Sequence, residues 1–594
     1  MGVASGDRGR RLDPDARTIA DAKVTRFLAW LRETGRGDFA DYPQLLAESV
    51  RDVEWFWGAI WRFFDVQAAS PPDSVLGERT MPGAEWFPGA TLNYVTQVFR
   101  NATEDRPALV VAGEDGSVEW SWAQLQGETA AFASYLQKLG VRPGDRVVGY
   151  LPNIGEAVVA FLAAASVGAV WALCNQDLAP SGVVARFGQL EPTVLVASDG
   201  SVYGGKRQDR REQLAQIRRR LPTLRATVVV PRLGALTSDA DPDLVPWAST
   251  LTPDADPVIT PVSFAHPLWV LFSSGTTGTP KGIVHGHGGV LLEHLKCLSL
   301  HLDLAPRDRF LWQSSTSWMM WNLLVSGLLV GATVVLYDGS PTYPRTDSMW
   351  QVVADHDVTV FGAGAGYLLA CAKEQSDPDA RGADYDLTTL HAVGSTGSPL
   401  PASGFRWVQE RVGRRIPVGF WNDSDRSRYR KAYFDKYGDG VWCHGDWITI
   451  TERGSVVVHG RSDATLNRMG VGMGSAEIYD AVEQLPEVRD CLAVGVELDD
   501  GGYWMPLFVD LAGDTEIDDE LRARIAAAIR TGASPRHVPD DIVAVPGIPR
   551  TMTGKRLEIP IKRILLGAAP GDVVSSSAVD RPELLGVFAQ HSRT

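Results

Sequence analysis

The chain has 594 residues and a formal net charge of −15, with 44% hydrophobic and 22% charged residues. This composition is typical of a soluble globular protein, and the length exceeds one ordinary hydrophobic core, so several domains are expected. The acidic balance disfavours a nucleic acid or an anionic membrane as a partner. An anionic substrate must therefore find local positive charge rather than a positive field over the whole protein.

The sequence predicts a cytoplasmic location. The N-terminal residues lack the apolar stretch of a signal peptide, and the longest apolar run, Leu323–Tyr337, is too short and too interrupted to span a membrane. The cysteines are scattered and have no CxxC spacing, so we expect them to be reduced and mostly buried. They are Cys174, Cys297, Cys371, Cys443 and Cys491.

The first part of the chain predicts a helical cap followed by an α/β domain. Residues 15–67 have a helical pattern and many aromatic side chains, which favours a packed N-terminal cap. Beyond Pro107, strand-like and helix-like segments alternate, which predicts a largely parallel sheet covered by helices. The segments are the strands Ala108–Ala112, Arg146–Tyr150 and Thr193–Ala197 and the helix Ala157–Val170. The aperiodic stretch Gly234–Pro257 is predicted to be a surface connection.

A loop rich in Ser, Thr and Gly follows the predicted buried strand Leu268–Phe272 and ends at Lys281. Glycines allow such a loop to turn several backbone N–H groups and hydroxyls toward one point, and Lys281 adds a mobile positive charge. These are the features of a polyphosphate site. The loop is not a Walker loop, because Pro280 and Gly282 flank the lysine. The alternative is an ordinary polar turn.

Two further patterns are too weak to assign a site. His285 and His287 follow the loop, but two histidines without additional ligands nearby are poor evidence for a metal. The glycines of Val358–Gly366 resemble a dinucleotide-binding loop only in part, because Tyr367 stands where the final glycine is required. We therefore predict neither a metal centre nor a Rossmann site from these residues.

Later motifs place charged residues beside predicted strands and turns. Asp446 stands at the end of a predicted strand, where a carboxylate can accept both hydroxyls of a ribose. Arg461 offers a rigid fork of donors for ribose or phosphate oxygens. Beyond Asp463 the pattern predicts a compact α/β module, in which Lys555 follows a glycine turn. Each residue alone would more often be a surface ion pair or a solvated lysine.

In combination these motifs resemble the adenylate-forming superfamily of acyl-CoA synthetases, peptide-synthetase adenylation domains and luciferases. The resemblance covers the chain from Trp86 to its tail. Within the superfamily the chain is similar to the ligases that join acetoacetate to CoA. The segments that carry this similarity are His285–Gly289, Leu291–Leu295, Trp318–Asn322, Phe420–Tyr429 and Pro582–Leu585.

The resemblance implies a fold and a reaction. The fold is α/β, with a large adenylate-forming domain of layered, largely parallel sheets and helices and a small mobile α/β C-terminal domain. The expected boundaries are 1–85 for the cap, 86–460 for the large domain and 461–594 for the small domain with its extension. The reaction uses ATP, Mg²⁺ and CoA. Acetoacetate first forms an acyl-adenylate and pyrophosphate, and CoA thiolate then displaces AMP.

The resemblance also implies roles for individual residues. Lys555 would be catalytic, bridging carboxylate and α-phosphate, and it would be the target of a lysine acetyltransferase and deacetylase. Asp463 would be the hinge of the small domain. The other roles are phosphate binding by Ser273, Thr276, Thr277 and Lys281; adenine contacts by Gly397, Ser398 and Pro399; ribose contacts by Asp446 and Arg461; CoA contacts by Arg186, near the segment Ser201–Arg207, and by Gly470; and an acyl pocket bordered by Trp318 and Gly362.

Two departures from the family pattern concern ATP. Only Leu400–Ile416 separates Pro399 from Pro417, where the family has a longer insert with an adenine-stacking loop and an acidic Mg²⁺ ligand, so no Mg²⁺ ligand can be named here. Gly472 stands where an arginine usually contacts phosphate. We therefore expect weak ATP binding and little acetoacetate-dependent pyrophosphate exchange. A non-catalytic nucleotide- or acyl-CoA-binding protein and a ligase for acetate or propionate stay open as alternatives.

Overall fold

The computed structural model describes sixteen parts of the chain. They are residues 16–80, 83–234, 243–273, 280–375, 385–396, 400, 402–408, 446–450, 456–461, 466–468, 471–473, 475–497, 503–513, 515–532, 535–552 and 554–592. None of the helices in these parts is long and apolar enough to cross a membrane.

Within the described residues the strands are β1 (Thr91–Leu92), β2 (Leu109–Gly113), β3 (Gly116–Trp120), β4 (Arg146–Tyr150), β5 (Val170–Cys174), β6 (Val194–Ser198), β7 (Gly200–Tyr203), β8 (Lys206–Asp209), β9 (Ala226–Val230), β10 (Leu244–Pro246), β11 (Val262–Ser263), β12 (Pro267–Ser273), β13 (Lys281–Gly286), β14 (Arg309–Trp312), β15 (Thr333–Asp338), β16 (Val360–Gly364), β17 (Ala392–Thr396), β18 (Asp446–Ile450), β19 (Val456–Arg461), β20 (Leu466–Arg468), β21 (Val471–Met473), β22 (Val488–Ala493), β23 (Val496–Glu497), β24 (Tyr503–Trp504), β25 (Pro506–Leu511) and β26 (Asp541–Ala544).

The α-helices of the same residues are α1 (Ala16–Asp21), α2 (Lys23–Glu33), α3 (Tyr42–Arg51), α4 (Val53–Phe63), α5 (Tyr94–Phe99), α6 (Trp122–Lys138), α7 (Gly155–Ser166), α8 (Pro180–Phe187), α9 (Arg211–Arg219), α10 (Trp247–Thr250), α11 (His287–Leu295), α12 (Met319–Val325), α13 (Ser348–Asp355), α14 (Ala365–Gln375), α15 (Ala402–Trp407), α16 (Ser475–Val482), α17 (Asp519–Gly532), α18 (Glu558–Leu565), α19 (Pro570–Val573) and α20 (Leu585–Ala589). A π-helix, Lys296–His301, continues α11.

Two large, mostly parallel sheets form the body of the protein. One has the order β10-β9-β6-β4-β5-β12-β13, in which β13 is the antiparallel strand. The other has the order β17-β16-β14-β15-β2-β3, in which β3 is antiparallel. The βα alternation of the sequence leads to this arrangement, because parallel neighbours need a crossover that a helix can supply. The prediction of layered, largely parallel sheets with helices is confirmed.

The main hydrophobic core lies between the two sheets. Side chains alternate along each strand, so Val147 and Val194 face this core, whereas Val148 and Leu195 face helices on the outer side. Helix α7 lies inside the main core, where eleven of its twelve residues are buried. The aromatic residues of α2 and α4 join the same core, so the predicted N-terminal cap packs directly on the large domain.

The C-terminal residues form smaller cores around the sheet β22-β25-β26. Helices α16 and α17 cover one core, and α18 and α20 contribute to the other. These helices and strands lie in the part of the chain beyond Asp463 that was predicted to form a compact α/β module. Two apolar faces of one short sheet therefore organise this module.

Two sequence predictions are corrected by the structure. The helix predicted over Ala157–Val170 ends at Ser166, because Gly168 has φ +78° and Val170 begins β5. The connection predicted over Gly234–Pro257 contains β10 at a sheet edge and helix α10 with a buried Trp247. Asp446 is the first residue of β18 as the structure describes it, and the predicted strand before it lies outside the described residues. Cys174, Cys297, Cys371 and Cys491 are free, as predicted, and Cys443 lies outside the described residues.

Candidate active site at the ends of the two sheets

A loop at residues 313–318 connects the carboxyl ends of the two large sheets. Gln313 N, directly after β14, donates to Gly362 O in β16 (2.8 Å). Thr316 Oγ1 donates to Leu151 O just after β4 (2.8 Å), and Ser317 Oγ accepts from Asn175 N just after β5 (2.7 Å). Ligands of open α/β sheets bind at the carboxyl ends of the strands. The loop therefore marks the candidate site, and Trp318 is its last residue before α12.

The predicted phosphate loop joins β12 to β13. This hairpin pairs Ser273 with Lys281, so the two residues stand opposite each other where the loop leaves and re-enters the sheet. Strand β13 was not predicted, because Ile283–His285 alone is too short a run to distinguish from a loop. Lys281 is half-buried, and Gln189 Nε2 donates to Pro280 O beside it (3.0 Å). Thr276 and Thr277 lie outside the described residues.

Lys555 reaches this site from the C-terminal module. Its ammonium nitrogen lies 4.9 Å from the centroid of the Trp318 ring, a cation–π distance. Both side chains are half-buried. Next to Trp318, Met320 and Trp321 are buried in the main core. Met320 and Trp321 are thus part of the core, whereas Trp318 lies beside Lys555.

Trp312 is a residue of this region that sequence reasoning missed. The register of three adjacent strands places Trp312 beside Gly362 and Gly362 beside Gly394. The indole lies across both glycines, since a Cβ on Gly362 would come within 2.1 Å of the ring and one on Gly394 within 2.4 Å. Gly362, predicted to border the acyl pocket, therefore makes room for an aromatic ring. An apolar residue at the end of a buried strand was the only available signal.

For some of the remaining predicted site residues the structure gives the position of the backbone, and others lie outside the described residues. The antiparallel pair β18–β19 puts Asp446 directly opposite Arg461, which brings the two predicted ribose contacts into one register position. Arg186 lies in α8 and donates to Gly182 O of its own helix (2.8 Å). The predicted contacts Gly397, Ser398, Pro399 and Gly470 and the predicted hinge Asp463 lie outside the described residues.

The hairpin β7–β8 contains the whole segment Ser201–Arg207 that was predicted near CoA. Its turn residues Gly204 and Gly205 donate backbone N–H groups to the carboxylate of Glu114 (2.7 and 2.6 Å). The same carboxylate accepts from Ser340 N (2.7 Å). Glu114 therefore fastens this hairpin to the residues that directly follow β15, an interior strand of the second sheet.

His285 and His287 are used inside the fold. Trp269 Nε1 donates to His285 Nδ1 (2.8 Å), and Tyr94 N donates to His287 Nδ1 (3.2 Å). Burial lowers the pKa of His285 to about 4 and the pKa of His287 to about 3. In the part of the chain that the structure describes, no group of three or more His, Cys, Asp or Glu side chains could hold a metal ion.

Comparison with known proteins identifies the family. The family model of the AMP-binding enzymes matches residues 96–422, that of the acetyl-coenzyme A synthetase N-terminus matches 42–98, and that of the AMP-binding enzyme C-terminal domain matches 477–555. Acetoacetyl-coenzyme A synthetase of Rhizobium meliloti (strain 1021) is 36% identical over 97% of this chain and 98% of its own. The mouse acetoacetyl-CoA synthetase is 34% identical over 97% and 96%. The chain belongs to the acetoacetyl-CoA synthetase family.

The similarity extends to a solved structure of this family. Acetoacetyl-CoA synthetase from Streptomyces lividans matches with a TM-score of 0.91 and 46% identity, over 98% of this chain and 99% of that one. The alignment with the Rhizobium meliloti synthetase spans 646 residues, more than the 594 of this chain. That relative therefore has segments to which no residue here corresponds.

Proposed function

We propose that this protein joins acetoacetate to CoA with ATP, releasing AMP and pyrophosphate. The main support is the full-length similarity to several acetoacetyl-CoA synthetases, together with the position of Lys555 beside Trp318 at the ends of both large sheets. The similarity argues against the two alternatives left open by the sequence, a non-catalytic binding protein and a ligase for acetate or propionate.

The first step of this reaction must bring two anions together. The carboxylate of acetoacetate attacks the α-phosphorus of ATP, forming the mixed anhydride and expelling pyrophosphate. Fixed positive charge lowers the barrier by stabilising charge that develops in the transition state. Lys555 supplies such a charge, and Lys281 supplies another at the exit of the phosphate loop. In the second step the CoA thiolate attacks the acyl carbon, and AMP leaves.

The other residue roles stay as the sequence predicts them. Ser273, Thr276 and Thr277 would hold phosphates, and Gly397, Ser398 and Pro399 would contact adenine. Asp446 and Arg461 would bind the ribose, Asp463 would be the hinge, and Arg186 and Gly470 would contact CoA. Trp318 and Gly362 would border the acyl group. ATP is expected to arrive with Mg²⁺, but the described residues contain no matching set of ligands, so no step is assigned to the metal.

The direct test is mass spectrometry of the products. The protein is incubated with ATP, CoA and acetoacetate, and parallel reactions contain acetate, propionate or no acid. We expect acetoacetyl-CoA and AMP in equal amounts, with acetoacetate preferred over the other acids in competition. Formation of ADP, or preference for acetate, would contradict the proposal.

The short connection between Pro399 and Pro417 makes a separate prediction about ATP. Loss of a stacking surface for adenine removes roughly 1–3 kcal/mol of binding, which weakens ATP binding on the order of tenfold to a hundredfold. We predict a high KM for ATP in pyrophosphate exchange, and a lower KM when a family-like insert is added after Ile416. Strong exchange by the unmodified chain would mean that another segment supplies the adenine platform.

Two proposals concern the cellular setting. A lysine acetyltransferase and deacetylase would regulate the protein through Lys555, because acetylation removes the charge that the first step needs. Acetylation of the purified protein should lower pyrophosphate exchange, and deacetylation should restore it.

A cytoplasmic location is supported by free cysteines at Cys174, Cys297, Cys371 and Cys491.

A further inference from the structure

Lys555 is presented by a tight turn with a short antiparallel stem. Thr551 N donates to Lys555 O (2.8 Å), Gly554 N donates to Thr551 O (2.8 Å), and Lys555 N donates to Thr551 Oγ1 (3.0 Å). Gly554 has φ +81°, a conformation that favours glycine. Arg550 and Arg556 flank the turn and pair with each other as an isolated β-bridge. Residues 578–580 also hold this stem, since Thr551 pairs with Val579 as an isolated β-bridge and Asp580 N donates to Arg550 O (3.0 Å). The side-chain contacts of the two arginines add to this backbone pairing in setting the position of the Lys555 backbone.

One carboxylate binds both arginines. Asp490 lies in β22, and its side chain is 13% exposed. Arg550 binds it with both ends of its fork, Nε to Oδ2 at 2.9 Å and Nη2 to Oδ1 at 2.8 Å. Arg556 Nη2 donates to Oδ1 (3.0 Å), as does the backbone N of Cys491 (2.8 Å). Charge-assisted fork contacts of this kind fix geometry as well as charge.

The two arginines extend this support into the turn and the core. Arg550 Nη1 donates to Gly554 O (2.8 Å), the carbonyl directly before Lys555. Arg556 pairs with Glu483 and lies 4.0 Å from the ring centroid of the buried Tyr479. The stem of the turn is thus fastened on one side to a strand and on the other to helix α16. Because the Lys555 side chain is long and flexible, the position of its backbone decides where the ammonium group can reach.

We infer that Asp490 is a positioning residue for Lys555, which holds the stem of the turn so that the ammonium group reaches the site beside Trp318. The inference rests on the proposed function, since it concerns the step in which Lys555 acts. A small misplacement of a catalytic group can cost about a hundredfold in rate. We call the contacts of Asp490 with Arg550 and Arg556 the clamp. Its loss should slow adenylate formation, whereas steps that do not need Lys555 should continue.

The test compares Asp490→Asn with a matched control from the same sheet. Asp510 stands directly opposite Asp490 in the register of β22 and β25, and it is a buried aspartate paired with an arginine, Arg489 (3.1 Å). Asp490→Asn should lower kcat for acid-dependent pyrophosphate exchange about tenfold to a hundredfold with little change in KM for ATP. Thioester formation from supplied acyl-adenylate should change less than threefold. Asp510→Asn should leave exchange near the level of the unmodified protein.

A double-mutant cycle separates positioning from general damage. In a Lys555→Ala background, Asp490→Asn should cause no further loss of exchange, because its effect acts through the missing lysine. Arg550→Gln, which removes the contact to Gly554 O but keeps Arg556, should reproduce the selective loss if Asp490→Asn folds poorly. Multiplicative losses in the cycle, or equal losses in both half-reactions, would overturn the inference.

A readout without turnover keeps this test independent of the proposed function. Amide hydrogen exchange should be faster in the peptide that contains Arg550–Arg556 for Asp490→Asn, and unchanged there for Asp510→Asn. If the unmodified protein activates a different acid, the kinetic arms are run with that acid. If the protein does not use acetoacetate, the proposed function fails but the inference about Asp490 does not. If hydrogen exchange is unchanged in Asp490→Asn, the inference about Asp490 fails but the proposed function does not.

Discussion

The ammonium group of Lys555 lies over the face of Trp318, 4.9 Å from the ring centroid. The two residues belong to different parts of the protein. Trp318 packs against the main core between the large sheets, and Lys555 stands on a turn of the C-terminal module. An aromatic face attracts a cation and presents no competing acceptor, so the ring can hold the lysine at the site until anionic substrates arrive. This contact connects the C-terminal module to the predicted site of chemistry.

Replacing Lys555 by alanine should block the first half-reaction and spare the second. The lysine charge is needed only while carboxylate and phosphate approach, so exchange of pyrophosphate into ATP should fall about 100- to 1000-fold. Thioester formation from supplied acyl-adenylate and CoA should stay within a fewfold of normal. Both rates are measured on one preparation. A comparable fall in both half-reactions would argue against this role.

Trp318 should affect the rate of adenylate formation through the aromatic face that contacts Lys555. Trp318→Leu removes the cation–π contact, which contributes about 0.5–2 kcal/mol, so adenylate formation should slow about two- to thirtyfold. Trp318→Phe keeps an aromatic face and should lose less. The measurement is kcat for pyrophosphate exchange together with KM for acetoacetate. If Phe and Leu have identical effects, the ring acts by volume and not by its face.

The buried histidine His287 should make stability depend on pH. Burial, with His266 nearby, lowers its pKa to about 3, whereas an unfolded histidine titrates near 6.5. A lowered folded-state pKa means that the unfolded chain binds the extra proton, so this contribution to stability is present above about pH 6.5 and is lost as the pH falls toward 3. Between pH 7.5 and 5 the loss is about 2 kcal/mol.

The variant His287→Asn isolates this contribution. An asparagine side-chain oxygen can still accept from Tyr94 N, but it does not titrate. Urea unfolding of both proteins at pH 7.5 and pH 5 should show the difference in their unfolding free energies moving by about 2 kcal/mol in favour of the variant at pH 5. A difference that is the same at both pH values would show that folding does not lower the pKa of His287.

Gly362→Ala should destabilise the large domain. The new Cβ would lie 2.1 Å from the Trp312 ring, and Trp312 is buried with 3% of its surface exposed. Overpacking of this kind costs about 1–3 kcal/mol, measured as a lower thermal unfolding midpoint. Gly366→Ala is the matched control, because Gly366 lies in α14 with nothing within 4 Å of its Cβ position. This second change should raise the midpoint, since alanine favours a helix.

The sequence alone was sufficient for the features that depend on local chemistry. Strand Arg146–Tyr150 appears with the bounds that its apolar run predicts, and the βα alternation leads to the two parallel sheets. The phosphate loop before Lys281 is likewise predicted from local chemistry, because glycines allow such a loop to turn its backbone N–H groups toward one point. Its flanking strand β13 was missed, because a short run of apolar residues between polar ones has no distinctive period.

Only the tertiary structure decided which distant residues meet. Nothing in the periodicity of β14, β16 and β17 indicates that their register puts the Trp312 ring across Gly362 and Gly394. In the same way, Asp490 reads as an ordinary charged residue in a strand until Arg550 and Arg556 are folded onto it. Side-chain patterns report which face of an element is buried, but register and domain packing choose its neighbours. The sequence could therefore name Lys555, and only the fold could show what positions it.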